Sequence, residues 1–95
     1  MPKVKVNFFA TLRAIVGQKT VEVDLPEGAT VRDLAEALVR QYPALREHFF
    51  TEDGRLHHSI HILLDGRDFI YLPKGEGEEV TNGVKIDIFP PVGGG

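Results

Sequence analysis

An amphipathic helix is the feature that most constrains this chain. In residues 25–43, "LPEGATVRDLAEALVRQYP", apolar side chains recur three or four positions apart, which places them on one helical face: Val31, Leu34, Ala35, Leu38, Val39 and Tyr42. Thr30 can cap the N-terminus, Asp33 at the third helical position complements cap and dipole, and Pro43 ends the helix. A single apolar face must be buried against another element, so a helix packed on a sheet is expected.

Two strands precede this helix. Residues 3–9 and residues 19–25 alternate between apolar and polar side chains, the period-two pattern of half-buried strands. Their inward positions are Val4, Val6 and Phe8, then Val21, Val23 and Leu25. Between them, "ATLRAIVG" predicts a short helical turn closed by Gly17. The two strands therefore form a hairpin with a helical insert.

Three further strands follow the helix. "IHILLDGRDFIYL", residues 60–72, predicts a strand, a tight turn at Asp65 and Gly66, and a second short strand. "VKIDIF", residues 84–89, predicts a last strand whose inward side chains are Val84, Ile86 and Ile88. Residues 44–58 form a connector whose apolar residues, Leu45, Phe49 and Phe50, lie under the domain.

The order of elements predicts the fold class. A helix that follows a hairpin must cross the sheet, and right-handed crossovers favour a last strand that lies parallel beside the first. We expect an α+β protein of the β-grasp type, with a mixed sheet of four to five strands and one main helix packed on one face. Residues 1–89 would form this domain, and residues 90–95, "PPVGGG", a flexible tail.

Composition excludes several classes of function. With 95 residues, a folded chain buries only about 60 to 65 % of its unfolded surface, so a deep catalytic cleft is not expected. The net charge of -3 argues against nucleic-acid binding, and no apolar run is long enough to cross a membrane. The absence of cysteine excludes disulfides and thiolate chemistry, and favours a cytoplasmic location.

The tail is the best candidate for chemistry. Pro90 and Pro91 make a stiff base, and three glycines without Cβ atoms can enter a passage too narrow for other residues. Six extended residues reach at most about 20 Å, which suits a carboxylate delivered into another protein's active site. The alternative is that Gly93, Gly94 and Gly95 are only a frayed end or a cloning remnant.

Four motifs carry a resemblance to a known family. "KVNFFATLRAIVG", "LPEGATVRDLAEAL", "ILLDGRD" and "NGVKIDIFPPVGGG" resemble the MoaD and ThiS family of ubiquitin-like sulfur carriers over nearly the whole chain. The MoaD branch, the small subunit of molybdopterin synthase, typically ends in "FPPV", a small residue and "GG". Two departures are "TNGVK" at residues 81–85, where many relatives carry "DGD", and a third terminal glycine.

This resemblance implies a carrier rather than an enzyme. Gly95, preceded by Gly94, would be adenylated by a ubiquitin-activating-type adenylyltransferase that uses ATP, and then converted to a thiocarboxylate with sulfur from a donor protein. A MoaE-type large subunit would use that sulfur in molybdenum cofactor biosynthesis. No tightly bound cofactor is implied.

Three other functions remain open at this point. A lysine amine could attack the adenylated glycine, which would make the chain a protein modifier. The sulfur could also supply thiamine synthesis or tRNA thiolation. The last possibility is a β-grasp binding domain with an inert tail.

Strand alternation also predicts a docking surface. Phe9, Leu63 and Phe89 should point outward on the face opposite the helix, where exposed apolar clusters usually mark an interface. The tail residues Pro90, Pro91, Val92 and Gly93 would contact the same partner. The alternative is that the connector covers this face. No metal site is expected, because His57 and His61 lie about 13 Å apart along an extended segment.

Overall fold

The computed structural model describes residues 3–57 and 59–91, and this part of the chain contains five strands and three helices. The strands are β1 (Lys3–Phe8), β2 (Thr20–Asp24), β3 (His61–Leu64), β4 (Arg67–Asp68) and β5 (Ile86–Phe89). The helices are α1 (Ala10–Val16), α2 (Val31–Gln41) and the short α3 (Arg46–Phe49). Single 3-10 turns occupy Pro43–Leu45, Phe69–Tyr71 and Gly75–Gly77.

The strands make one mixed sheet in the order β2-β1-β5-β3-β4. β1 and β5 are parallel, with Val6 opposite Ile86 and Phe8 opposite Ile88, and the other three pairs are antiparallel. The predicted β-grasp fold, with the last strand beside the first, is confirmed.

α2 packs on one face of this sheet as its periodicity predicts. Five of its apolar residues are buried: Val31, Leu34, Ala35, Leu38 and Val39. Its start is a reciprocal capping box, in which the Asp33 amide donates to Thr30 Oγ1 at 3.2 Å and the Thr30 amide donates to Asp33 Oδ2 at 2.9 Å. The helix ends at Gln41, two residues before Pro43.

Side-chain bonds shorten two of the predicted strands. β4 has only two residues, because Asp68 Oδ1 accepts the amide of Ile70 at 3.3 Å and turns the chain into a 3-10 helix. β5 begins at Ile86, and Val84 lies half-buried before it. The Lys85 amide bonds to Asp65 Oδ1 at 2.9 Å, which ties this residue to the β3–β4 turn.

The connector is partly helical and lies on the helix side of the sheet. Its buried residues Leu45, Phe49 and Phe50 confirm the prediction that they lie under the domain, and its helical turns pack against α1 and α2. The two turns were not predicted, since three to four residues carry too little periodicity.

Arg32 ties two loops to α2. Its Nη2 donates to the Gly54 carbonyl at 2.8 Å, and its other nitrogens bond to Glu36 at 3.0 Å and Glu76 at 3.3 Å. The guanidinium also lies over the Phe50 ring, 5.2 Å from its centroid. Desolvation lowers the pKa of Arg32, but the two carboxylates outweigh it, so its pKa is raised and the side chain stays charged.

Two predictions concern the chain as a whole. In the described ranges, no helix is long and apolar enough to cross a membrane. The division into a domain of residues 1–89 and a tail of residues 90–95 stays a prediction, because residues 92–95 lie outside the described residues.

Candidate docking face

The face of the sheet opposite α2, called the outer face from here on, carries a pair of stacked aromatic rings. Phe89 is the last residue of β5, and Phe9 follows directly after β1. Because these strands are parallel neighbours, the two residues reach the same edge of the sheet. Their rings stack with centroids 4.2 Å apart and planes inclined by 10°. Each side chain remains half-buried, so the stack is open to a partner.

A residue in the left-handed backbone conformation begins α1 and sets the position of this stack. The chain turns from β1 into α1 at Ala10, whose φ is 55°. A residue with a Cβ atom adopts this conformation only at an energetic cost, of about 1 to 2 kcal/mol. The turn places Arg13 above Phe9, with its guanidinium carbon 5.7 Å from the ring centroid and its Nε donating to the Phe8 carbonyl at 3.1 Å.

A shallow depression extends the apolar surface beyond Phe89. Leu63, Leu72 and Tyr71 line it together with Phe89, and Tyr71 is 82 % exposed. In the described part of the chain, no connector residue lines this depression. The described connector residues therefore leave this depression uncovered, and the helical turns of the connector pack against α1 and α2.

A histidine and an aspartate form the polar rim of the depression. His61 Nδ1 lies 2.8 Å from Asp68 Oδ2, and His61 is the cross-strand neighbour of Phe89. The sequence analysis missed this pair, because the β3–β4 turn brings together residues seven positions apart. In residues 3–57 and 59–91, no cluster of three or more potential metal ligands exists.

A buried carboxylate lies in the middle of the outer face. Asp87 is only 7 % exposed, and it accepts from Asn7 Nδ2 at 2.9 Å. Asn7 Oδ1 in turn accepts from Thr20 at 2.7 Å, while Lys85 Nζ lies 3.6 Å from Asp87. This chain of contacts joins β2, β1 and β5, and so fixes the strand that carries Phe89.

The structure brings the predicted side chains of the folded part together. Phe9, Leu63 and Phe89 share the outer face, and Pro90 and Pro91 continue from β5. Val92, Gly93, Gly94 and Gly95 lie outside the described residues. The roles assigned to all of these residues in partner binding and chemistry remain predictions.

Comparison with known proteins identifies the family. The family model described as the ThiS family matches residues 6–95. The chain belongs to the ThiS family. Small archaeal modifier protein 1 from Haloferax volcanii is 39 % identical over 89 residues, which cover 94 % of this chain and 97 % of that protein. A crystal structure of that modifier superposes with a TM-score of 0.85 at 35 % identity, covering 97 % of this chain and 100 % of its own.

Two further ThiS-like proteins bear on function. The molybdopterin synthase sulfur carrier subunit of Caenorhabditis elegans is 24 % identical over 95 residues, covering 100 % of both chains. A chain in the crystal structure of the Amycolatopsis orientalis BexX/CysO complex is 28 % identical, with a TM-score of 0.77 and coverage of 97 % of this chain and 99 % of its own.

Family membership confirms the predicted resemblance and the ubiquitin-like β-grasp fold. The ThiS-family chain is a small carrier or modifier protein, not an enzyme in its own right. The predicted role in molybdopterin synthesis is less well supported than a modifier role. The modifier from Haloferax volcanii is more similar to this chain than the molybdopterin synthase subunit is.

Proposed function

We propose that this protein is a ubiquitin-like modifier whose terminal Gly95 is activated by an ATP-dependent adenylyltransferase and joined to amino groups of other proteins. The observation that carries the proposal is the open Phe9 and Phe89 stack, which lies where the chain continues into Pro90 and the tail. The similarity to an archaeal modifier over nearly the full length supports amino groups of other proteins as the acceptors.

The chemistry needs no side chain of this protein. The Gly95 carboxylate attacks the α-phosphorus of ATP, which forms an acyl-adenylate and releases pyrophosphate. A lysine amine then attacks the acyl carbon, AMP leaves, and the amine loses a proton as the isopeptide bond forms. The contribution of this chain is binding and positioning: the outer face docks, and the narrow tail reaches up to about 20 Å into the partner.

A second candidate uses the same adenylate for sulfur transfer. Hydrosulfide, supplied by a sulfur donor protein, would displace AMP and leave a thiocarboxylate on Gly95. The "FPPVGGG" ending and the similarity to a molybdopterin synthase subunit favour this route, with a MoaE-type large subunit as acceptor. Thiamine synthesis and tRNA thiolation are other destinations for that sulfur.

Intact mass spectrometry separates the two candidates. The protein is purified from its native cells, and covalent adducts are mapped by tandem fragmentation. Modification predicts lysine side chains of other proteins that carry the C-terminal residues of this chain. Sulfur transfer predicts instead free protein in which one oxygen of Gly95 is replaced by sulfur.

A truncation tests the shared activation step. Deletion of Gly94 and Gly95 should leave the fold and the free energy of unfolding unchanged, while adenylate formation with the adenylyltransferase of the source organism, ATP and Mg²⁺ is lost. If the truncated protein is still adenylated or conjugated, both candidates are wrong. If no acyl-adenylate forms on the wild-type protein with these components, the tail has no activated role.

A further inference from the structure

Arg13 is an exposed cation that lies over one of the two stacked rings of the outer face. Its Nε is committed to the Phe8 carbonyl, and its guanidinium carbon stays 5.7 Å from the Phe9 centroid. Within residues 3–57 and 59–91, neither of its terminal nitrogens has a hydrogen bond or an ion pair. The two contacts restrict the side chain, so pairing its guanidinium with an anion would cost less rotamer entropy than for a freely moving arginine.

The position of Arg13 decides which anion it can meet. Phe9 stacks on Phe89, the residue directly before the tail, so Arg13 lies near the point where the tail begins. When residues 90–95 are extended, the Gly95 carboxylate lies up to about 20 Å from this base. An extended tail would therefore keep the nucleotide phosphates far from Arg13, which leaves the surface of the partner as the source of an anion beside it.

We propose that Arg13 is a specificity-determining docking residue that binds a carboxylate on the adenylyltransferase, at the edge of an apolar surface that covers Phe9 and Phe89. This inference rests on the proposed function. The two free terminal nitrogens match the two oxygens of a carboxylate, a pairing that a lysine ammonium cannot reproduce. An enzyme with a neutral or basic group at this place would leave the guanidinium desolvated and unpaired, and would be rejected.

Steady-state adenylation kinetics test the role of Arg13. ATP–pyrophosphate exchange is measured with the adenylyltransferase of the source organism at increasing concentrations of wild-type protein, Arg13→Gln, Arg13→Lys and Arg40→Gln. Arg40 is the matched control, an exposed arginine in the last turn of α2. Equal unfolding free energies for the four proteins exclude a folding defect.

The expected result is a change in KM alone. Arg13→Gln should raise the KM for this protein about 5- to 10-fold and leave kcat unchanged, because the contact is the same in the ground state and the transition state. The KM of Arg13→Lys should lie between those of the wild type and Arg13→Gln, and the KM of Arg40→Gln should match that of the wild type. Added salt should raise the KM of the wild type more steeply than that of Arg13→Gln.

Charge reversal then tests the carboxylate. Arg13→Glu should be rescued by an enzyme variant in which one acidic residue of the docking surface is replaced by arginine. If no such variant rescues Arg13→Glu, the carboxylate assignment is wrong. If Arg13→Gln and Arg40→Gln have the same KM while the wild type is active, the inference fails and the proposed function stands. If the wild type is not adenylated, both fail.

Discussion

Replacing Ala10 by glycine should stabilise the protein, although glycine usually weakens a helix. Ala10 is the first residue of α1, and its φ of 55° lies in the left-handed region. Glycine adopts this region without the steric cost of a Cβ atom. The substitution therefore removes strain at the point that places Phe9 and Arg13 on the docking face.

The size of the effect follows from two opposing contributions. Relief of the left-handed strain contributes about 1 to 2 kcal/mol in favour of the folded state. The greater freedom of glycine in the unfolded chain opposes it by about 0.4 to 1 kcal/mol. The net expectation is a gain of about 0.5 to 1 kcal/mol, which raises the Tm of a domain of this size by about 2 to 8 °C.

Ala14→Gly is the matched control in the same helix. Ala14 is exposed, and among the described residues only Ala10 and Asp65 combine a side chain with a positive φ. Ala14→Gly should cost about 0.5 to 1 kcal/mol. Urea unfolding of both variants, followed by circular dichroism, gives the two free energies. If Ala10→Gly destabilises the protein as much as Ala14→Gly, the strain argument is refuted.

Two further substitutions test the contacts that hold the scaffold. Arg32→Ala should lower the free energy of unfolding by about 1 to 3 kcal/mol, because it removes a charged hydrogen bond to the Gly54 carbonyl and two ion pairs. In the same urea titration, the control Arg40→Ala at an exposed position should change this free energy by less than about 0.5 kcal/mol. Asp87→Ala should lower the free energy of unfolding by about 1 to 3 kcal/mol and speed amide hydrogen exchange in β5, because Asn7 Nδ2 loses its acceptor. Unchanged stability would contradict the role of this carboxylate.

Local patterns were sufficient to predict the main elements. The Thr30 and Asp33 capping box, the apolar face of α2 and the glycine after α1 depend on residues within one turn of each other, so their structures follow from sequence spacing. The parallel pairing of β1 and β5 followed from the handedness of crossover connections. The outward direction of Leu63 and Phe89 followed from the period of a strand.

Contacts between distant residues needed the tertiary structure. The sequence alone indicated a stiff, narrow tail after an apolar strand, and a family resemblance that assigns its chemistry. Only the fold shows that the Phe9 and Phe89 rings stack and that Arg13 lies over Phe9. It also pairs His61 with Asp68 and buries Asp87 against Asn7. The physical reason is that strand pairing joins segments up to eighty positions apart, and no local periodicity records which side chains will meet across neighbouring strands.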